Sequence, residues 1–107
     1  MSWSPVNRPF NYVHLLATST QITTIPTYLH SVTINHPDSA AGATVTLHDV
    51  AAVGDILPAN AIATIAMDSA LFVVPTTLAY SLRCVNGLYA LFSAQTVGDI
   101  TISYKEG

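Results

Sequence analysis

Four histidines are the residues of this chain that most readily suggest chemistry, because imidazole binds metals and exchanges protons near neutral pH. They are His14, His30, His36 and His48, and the intervals between them are 16, 6 and 12 residues. Zinc ligands usually come in pairs only about two to five residues apart. His30 and His48 fall on successive predicted strands and could meet in space. The spacing nevertheless favours histidines at the surface or in an interface, so we predict no metal and no cofactor.

The other reactive side chains lack partners at catalytic spacing. The chain has no Gly-x-Ser-x-Gly motif and no glycine-rich phosphate loop. Cys84 shares a predicted strand face with Leu78, Tyr80 and Leu82, which predicts a buried thiol that packs as a small hydrophobe. Five of the six acidic residues are aspartates at predicted turns or strand ends, where aspartate stabilises the turn. We expect that the protein is not an enzyme; the alternative is a small metal-dependent enzyme that uses the histidines.

The 107 residues carry little charge. Only 8% are charged, against about 25% in an average soluble protein. The three basic residues, Arg8, Arg83 and Lys105, are too few to bind nucleic acid through its phosphates. No apolar run approaches the roughly 18 residues of a membrane helix, and one cysteine excludes an intrachain disulfide framework. Because a small monomer usually keeps a charged surface, we expect another molecule to cover part of this one.

Residues 1–11 form a distinct segment. Two prolines bias it toward extended geometry, and it carries aromatic residues without periodicity. It is either a terminus that frays or an arm that docks on a neighbouring subunit. The candidate partner-binding residues of this arm are Trp3, Pro5, Arg8, Pro9 and Phe10. The segment lacks the features of a signal peptide, so we expect synthesis in a cytoplasm.

From residue 12 onward the pattern is typical of β-structure, with thirteen threonines and many valines and isoleucines. Strands are predicted at 12–18, 21–24, 27–35, 43–48, 61–67, 77–85, 88–93 and 99–105, with a short apolar run at 71–74. Residues 49–60 are predicted to be a loop with a single helical turn. About seven or eight short strands without an amphipathic helix predict an all-β protein. We expect one domain, 12–107, that is an antiparallel β-sandwich or a jelly-roll-like barrel.

The two-residue period of a strand predicts which side chains share a face. Residues 28, 30, 32 and 34 should share one face, and 29, 31, 33 and 35 the other. Val45 and Leu47 should point inward and His48 outward. Asn86-Gly87 is a strong signal for a type I′ hairpin, which predicts that 77–85 and 88–93 pair directly.

Two predicted strands, 61–66 and 88–92, are apolar on both faces. A strand of a two-layer sandwich usually has one polar face, so these strands need a second cover. The cover is a loop, a partner subunit or another protein. The candidate subunit-interface residues are Ile65, Tyr89 and Leu91.

The segment from Tyr80 to Tyr104, with its apolar strand, its Gly87-Leu88 turn and its closing Asp-Ile-Thr-Ile-Ser-Tyr strand, resembles small β-sandwich structural proteins of tailed bacteriophages. Residues 29–35 and 43–49 are similar to the preceding strands of such proteins. The resemblance implies a capsid decoration, or cement, protein that is a homotrimer. It further implies an N-terminal arm in contact with the major capsid protein, and a place on the virion after synthesis in the bacterial host cytoplasm.

The alternative within the same resemblance is a fibre, spike or tail module that binds a host receptor or a glycan. Such a site needs exposed aromatic and polar side chains gathered together, and Trp3, Tyr12 and Tyr89 are its candidates.

Overall fold

The computed structural model of the protein describes residues 10–38, 42–68, 76–93 and 98–107. The strands are β1 (Asn11–Leu16), β2 (Thr20–Thr23), β3 (Thr27–His36), β4 (Thr44–His48), β5 (Ala61–Ala66), β6 (Thr76–Cys84), β7 (Leu88–Phe92) and β8 (Asp99–Glu106). Two short 3-10 turns, Val53–Asp55 and Pro58–Asn60, lie in the connection between β4 and β5. The apolar run at 71–74 lies outside the described residues. The predicted all-β class is confirmed.

The strands form two four-stranded antiparallel sheets. Sheet A has the order β1-β8-β3-β6 and sheet B the order β2-β7-β4-β5. The pairs are nested, since β1 pairs with β8, β2 with β7, β3 with β6 and β4 with β5. This nesting is the arrangement of a jelly roll, in which the chain passes repeatedly from one sheet to the other. The predicted antiparallel sandwich is therefore confirmed in its jelly-roll form.

One apolar core lies between the sheets. It contains buried side chains from both, including Leu29, Val32, Ile34, Val45, Leu47, Ile65, Cys84, Leu88, Ala90, Ile100 and Ile102. Val45 and Leu47 are buried on β4, as their alternation with threonine predicts. On β6 the predicted outward residues Ala79, Ser81 and Arg83 are exposed, while Cys84 is buried.

The prediction for the faces of β3 is wrong at the start of the strand. Leu29 is buried together with Val32 and Ile34, whereas His30 is exposed. The register explains this, because Leu29 pairs with Tyr104 and Ser31 with the next residue of β8, Ser103. His30 is the extra residue of a β-bulge, and such a residue reverses the alternation on either side of it.

The predicted hairpin at Asn86-Gly87 is also wrong. β6 lies in sheet A and β7 in sheet B, and β7 pairs with β2 and β4 instead. A type I′ turn requires positive φ at both central residues, and among the described residues positive φ occurs only at Ala17, Gly42 and Gly107. The Asn86-Gly87 turn therefore carries the chain across the core to the opposite sheet.

Within the described ranges no helix has the length and the apolar content to cross a membrane.

Candidate interaction surfaces

Three connections meet at one end of the sandwich, around Asp49. The Asp49 carboxylate accepts hydrogen bonds from the backbone N–H groups of Val85, Asn86 and Gly87, at 3.0, 2.8 and 3.3 Å. Gly87 lies so close to its neighbours that a Cβ would stand 2.6 Å from the carbonyl oxygen of Val50 and 2.7 Å from that of Thr23. The β2–β3, β4–β5 and β6–β7 connections are thus held together, and we call this region the loop end.

The loop end exposes aliphatic side chains from all three connections. We call these four residues the loop-end patch, and their exposed fractions lie between 45% and 62%: Ile25, Val53, Leu57 and Val85. Hydrogen bonds brace the long β4–β5 connection, since Asn60 donates to the carbonyl oxygen of Asp55 at 2.9 Å and the His48 ring donates to the Asn60 side-chain oxygen at 2.8 Å. A braced surface loses little entropy when a partner binds.

A cavity of about 280 Å³ opens among these connections. It is lined by Asp49, Val50, Ala51, Asp55, Asn60 and Asn86. Asp49 is engaged with the β6–β7 turn, whereas the exposed Asp55 carboxylate accepts no hydrogen bond from any described residue. Two carboxylates without a lining cation make this an acidic cavity beside an apolar patch, which favours a cationic group.

The sequence predicts that something covers the outer face of β7, and the β4–β5 connection lies beside this face. Tyr89 is buried although it points away from the core, and it pairs with Gln21 on one side and His48 on the other. Gln21 donates from Nε2 to the carbonyl oxygen of Val50 at 2.9 Å, and His48 bonds to Asn60. Both neighbours of Tyr89 are therefore tied to the β4–β5 connection, which places this connection beside the buried tyrosine.

A second apolar surface lies on β1, an edge strand of sheet A. Tyr12 and Leu16 point outward and are 67% and 61% exposed. We call these two residues the β1 patch. It is distinct from the loop-end patch because Leu16 pairs with Asp99, at the end of β8 remote from Gly107. Gly107 belongs to the loop end, where its N–H donates to the carbonyl oxygen of Pro26 at 2.9 Å.

The outer face of sheet A next to the β1 patch is polar. His14 bonds to Asp99 through Nε2, and the Asn35 amide donates to Asp99 at 3.2 Å and to Thr101 at 2.9 Å. These four side chains join β1, β8 and β3 into one hydrogen-bonded network. Hydroxyl, amide, imidazole and carboxylate groups beside an exposed tyrosine could bind a polar neutral ligand.

The described end of the predicted arm packs on this same face. The Phe10 ring stacks on the His30 ring with centroids 4.2 Å apart and on the Tyr28 ring at 6.1 Å. Phe10 is thus fixed to its own sheet rather than to another chain. Trp3, Pro5, Arg8 and Pro9 lie outside the described residues.

The histidines do not converge. His30 lies on the outer face of sheet A and His48 on the outer side of sheet B, because the β3–β4 connection changes sheets. The two histidines therefore do not meet. His48 is buried, contrary to the prediction of an outward surface position, because the β4–β5 connection covers it. Across the described ranges, no three His, Cys, Asp or Glu side chains form a group that could hold a metal ion.

Cys84 is fully buried, as predicted. Burial, with a smaller contribution from the nearby Asp49 charge, raises the pKa of its thiol to about 11. A thiol with this pKa stays protonated at neutral pH and is a poor nucleophile.

The three candidate subunit-interface residues differ in accessibility. Ile65 belongs to the core of its own chain, and Tyr89 is buried within its own chain. Leu91 is 38% exposed on the outer face of sheet B.

The alternation patterns of the strands do not predict the loop-end patch. The signal for it in the sequence is the presence of single aliphatic residues inside predicted turn segments.

Comparisons of the chain with protein-family models, with curated proteins and with solved structures find no match.

Proposed function

We propose that the protein is a non-enzymatic structural protein of a tailed bacteriophage virion, which binds the outer capsid as an oligomer, a trimer, and stabilises it as a decoration protein. One observation supports this above the others. Large apolar side chains are exposed in two separate patches, on β1 and at the loop end, in a chain with only 8% charged residues. A decoration protein needs two contacts, one with its own copies and one with the coat.

The mechanism is multivalent bridging. The loop-end patch joins copies, and the β1 patch binds the major capsid protein. An oligomer presents several β1 patches at once, so individually weak contacts add through their effective concentration. The driving force is burial of apolar surface, which agrees with the scarcity of charge. The protein is made in the bacterial host cytoplasm and acts on the capsid surface.

The oligomer is tested first by size-exclusion chromatography with light scattering on the purified full chain. We expect a mass of three times 11.3 kDa. Because the population of an oligomer depends on the concentration of protomers, the measurement covers about 1 to 100 µM. A monomer at every concentration in this range would contradict the proposal.

The location is tested by electron microscopy of virus particles from the source culture, labelled with antibody-coated gold against this protein. We expect label over the capsid. For the coat contact, purified particles stripped of the protein are re-incubated with Tyr12→Ser/Leu16→Ser, which should lose binding because the apolar area is removed. Ala66→Ser, an exposed change on edge strand β5, is the control and should bind normally. Label on tail fibres would refute capsid decoration.

The second candidate function is a fibre or tail module that binds a host receptor glycan. It is favoured by the polar network of His14, Asn35, Asp99 and Thr101 beside the exposed Tyr12. A glycan array separates the two functions. Binding to a defined glycan that Asn35→Ala abolishes would support this candidate, and an empty array would reject it.

A further inference from the structure

We propose that the N-terminal arm of one copy, residues 1–9, binds the loop end of a neighbouring copy, with Arg8 in the acidic cavity and the apolar arm residues against the loop-end patch. This inference deepens the proposed function and rests on it, since it names the contact that holds the oligomer together.

Charge identifies the occupant. The cavity contributes the Asp49 and Asp55 carboxylates, and the whole chain has only three basic residues. Arg83 and Lys105 each pair with Tyr28 on the outer face of sheet A. Neither of them lines the cavity. Arg8 is the remaining cation, and its guanidinium group can donate hydrogen bonds to a carboxylate and to the amide oxygen of an asparagine at once.

Electrostatics also favours the loop end of another copy. Phe10 is stacked on Tyr28, which is flanked by Arg83 and Lys105. Arg8 is only two residues from Phe10, so on its own sheet it would be close to two like charges, which repel it. Glu106 does not offset these positive charges, because successive residues of a strand point to opposite faces and Glu106 is next to Lys105. Because Phe10 is fixed on sheet A, the Cα of Arg8 lies within about 7 Å of the Cα of Phe10, so the neighbouring loop end must pack beside the outer face of sheet A to receive it.

Apolar complementarity supports the same pairing. The arm carries Trp3 and Val6 on either side of Pro5. Two prolines restrict the unbound arm, which lowers the entropy lost on docking. The loop-end patch offers four exposed aliphatic side chains on connections that hydrogen bonds already hold in place. A tryptophan that docks there removes apolar area from water on both partners.

A charge swap in the full-length chain tests the ionic contact. Arg8→Glu and Asp55→Lys should each raise the dissociation constant of the oligomer at least tenfold, because each variant places like charges together. The double variant Arg8→Glu/Asp55→Lys should restore it to within about threefold of wild type, as a direct contact requires. Thr64→Glu and Thr64→Lys, charge changes at an exposed position of edge strand β5, are the matched controls and should leave the oligomer unchanged.

Mixing the two single variants tests whether the contact joins different copies. The acidic arm of Arg8→Glu suits the basic cavity of Asp55→Lys, and the unchanged arm of the second variant suits the unchanged cavity of the first. Equal amounts should therefore form mixed trimers, in which two of the three contacts are complementary, and light scattering should detect them at concentrations where each variant alone has dissociated. If the arm binds its own chain, mixing produces no complex, and the inference is overturned.

Two other outcomes separate the inference from the function on which it rests. If Arg8→Glu leaves the oligomer intact but abolishes capsid binding, the arm contacts the coat protein; this refutes the inference and leaves the proposed function standing. A wild-type monomer would instead refute the proposed function.

Discussion

Asp49 organises the loop end through one carboxylate. It satisfies three backbone N–H groups of the β6–β7 turn, which would otherwise be unpaired where the chain changes sheets. The same negative charge lies near Cys84, the last residue of β6, and disfavours the thiolate. A turn-forming aspartate therefore also protects the buried thiol from ionisation.

The raised pKa of Cys84 predicts a loss of stability at alkaline pH. The unfolded thiol ionises near pH 9.0, whereas the folded thiol stays protonated to about pH 11. Between these values the native state binds the extra proton, so the free energy of unfolding falls as pH rises. Denaturant unfolding of wild type and Cys84→Ala at pH 8 and pH 11 should show that wild type loses on the order of 2 kcal/mol more than the variant. Tyr80, whose pKa burial also raises, is common to both proteins. Parallel pH dependences would contradict this.

The β6–β7 turn is the element whose geometry most depends on a single side chain. Gly87→Ala places a methyl group against the carbonyl oxygens of Val50 and Thr23, and the backbone must move to relieve it. We expect destabilisation of about 1–3 kcal/mol in denaturant unfolding. Gly54→Ala is the matched control, because a Cβ there meets no atom within 4 Å; it should change stability by less than about 0.5 kcal/mol. Equal effects of the two changes would mean that the loop end is loosely packed.

The strands themselves can be predicted from the sequence, because enrichment in β-branched residues and alternation of apolar and polar residues are local properties. β4 and β6 show this, with Val45 and Cys84 buried and Ser81 exposed as expected. The bulge at His30 cannot be predicted from local sequence, since it arises from the register between β3 and β8, which are far apart in the chain. The fate of Asn86-Gly87 likewise depends on Asp49, which is more than thirty residues away in sequence.

The candidate site follows the same division. The aromatic and basic arm is visible in composition alone, whereas the acidic cavity combines residues from the β4–β5 connection with Asn86 of the β6–β7 turn. Only the jelly-roll topology brings these connections to one end. Ile65 and Tyr89 were predicted to be interface residues because their strands are apolar on both faces. A bulge in edge strand β5, which contains Ile65, and a loop beside Tyr89 are compatible with the same pattern.

At the scale of the whole molecule, low charge predicts that association resists salt. The proposed contact between the arm and the loop end combines one ionic pair with several apolar side chains, and salt screens only the ionic pair. Raising NaCl from about 0.1 to 1 M should weaken the oligomer by less than roughly tenfold, measured by light scattering over a dilution series. Complete dissociation at the higher salt concentration would show that charge, rather than apolar burial, holds the copies together.

The pairing of the first strand with the last has a consequence for how the chain is made. β8 lies between β1 and β3 in sheet A, so neither strand has its full set of hydrogen-bond partners until β8 has left the ribosome. β1 and the apolar residues of sheet A therefore stay unprotected in the nascent chain until β8 has been synthesised. Folding dominated by such distant pairings is slow, typically milliseconds to seconds. A ribosome that stalls before residue 99 would thus release a chain unable to close its core, and chaperones would have to hold it soluble.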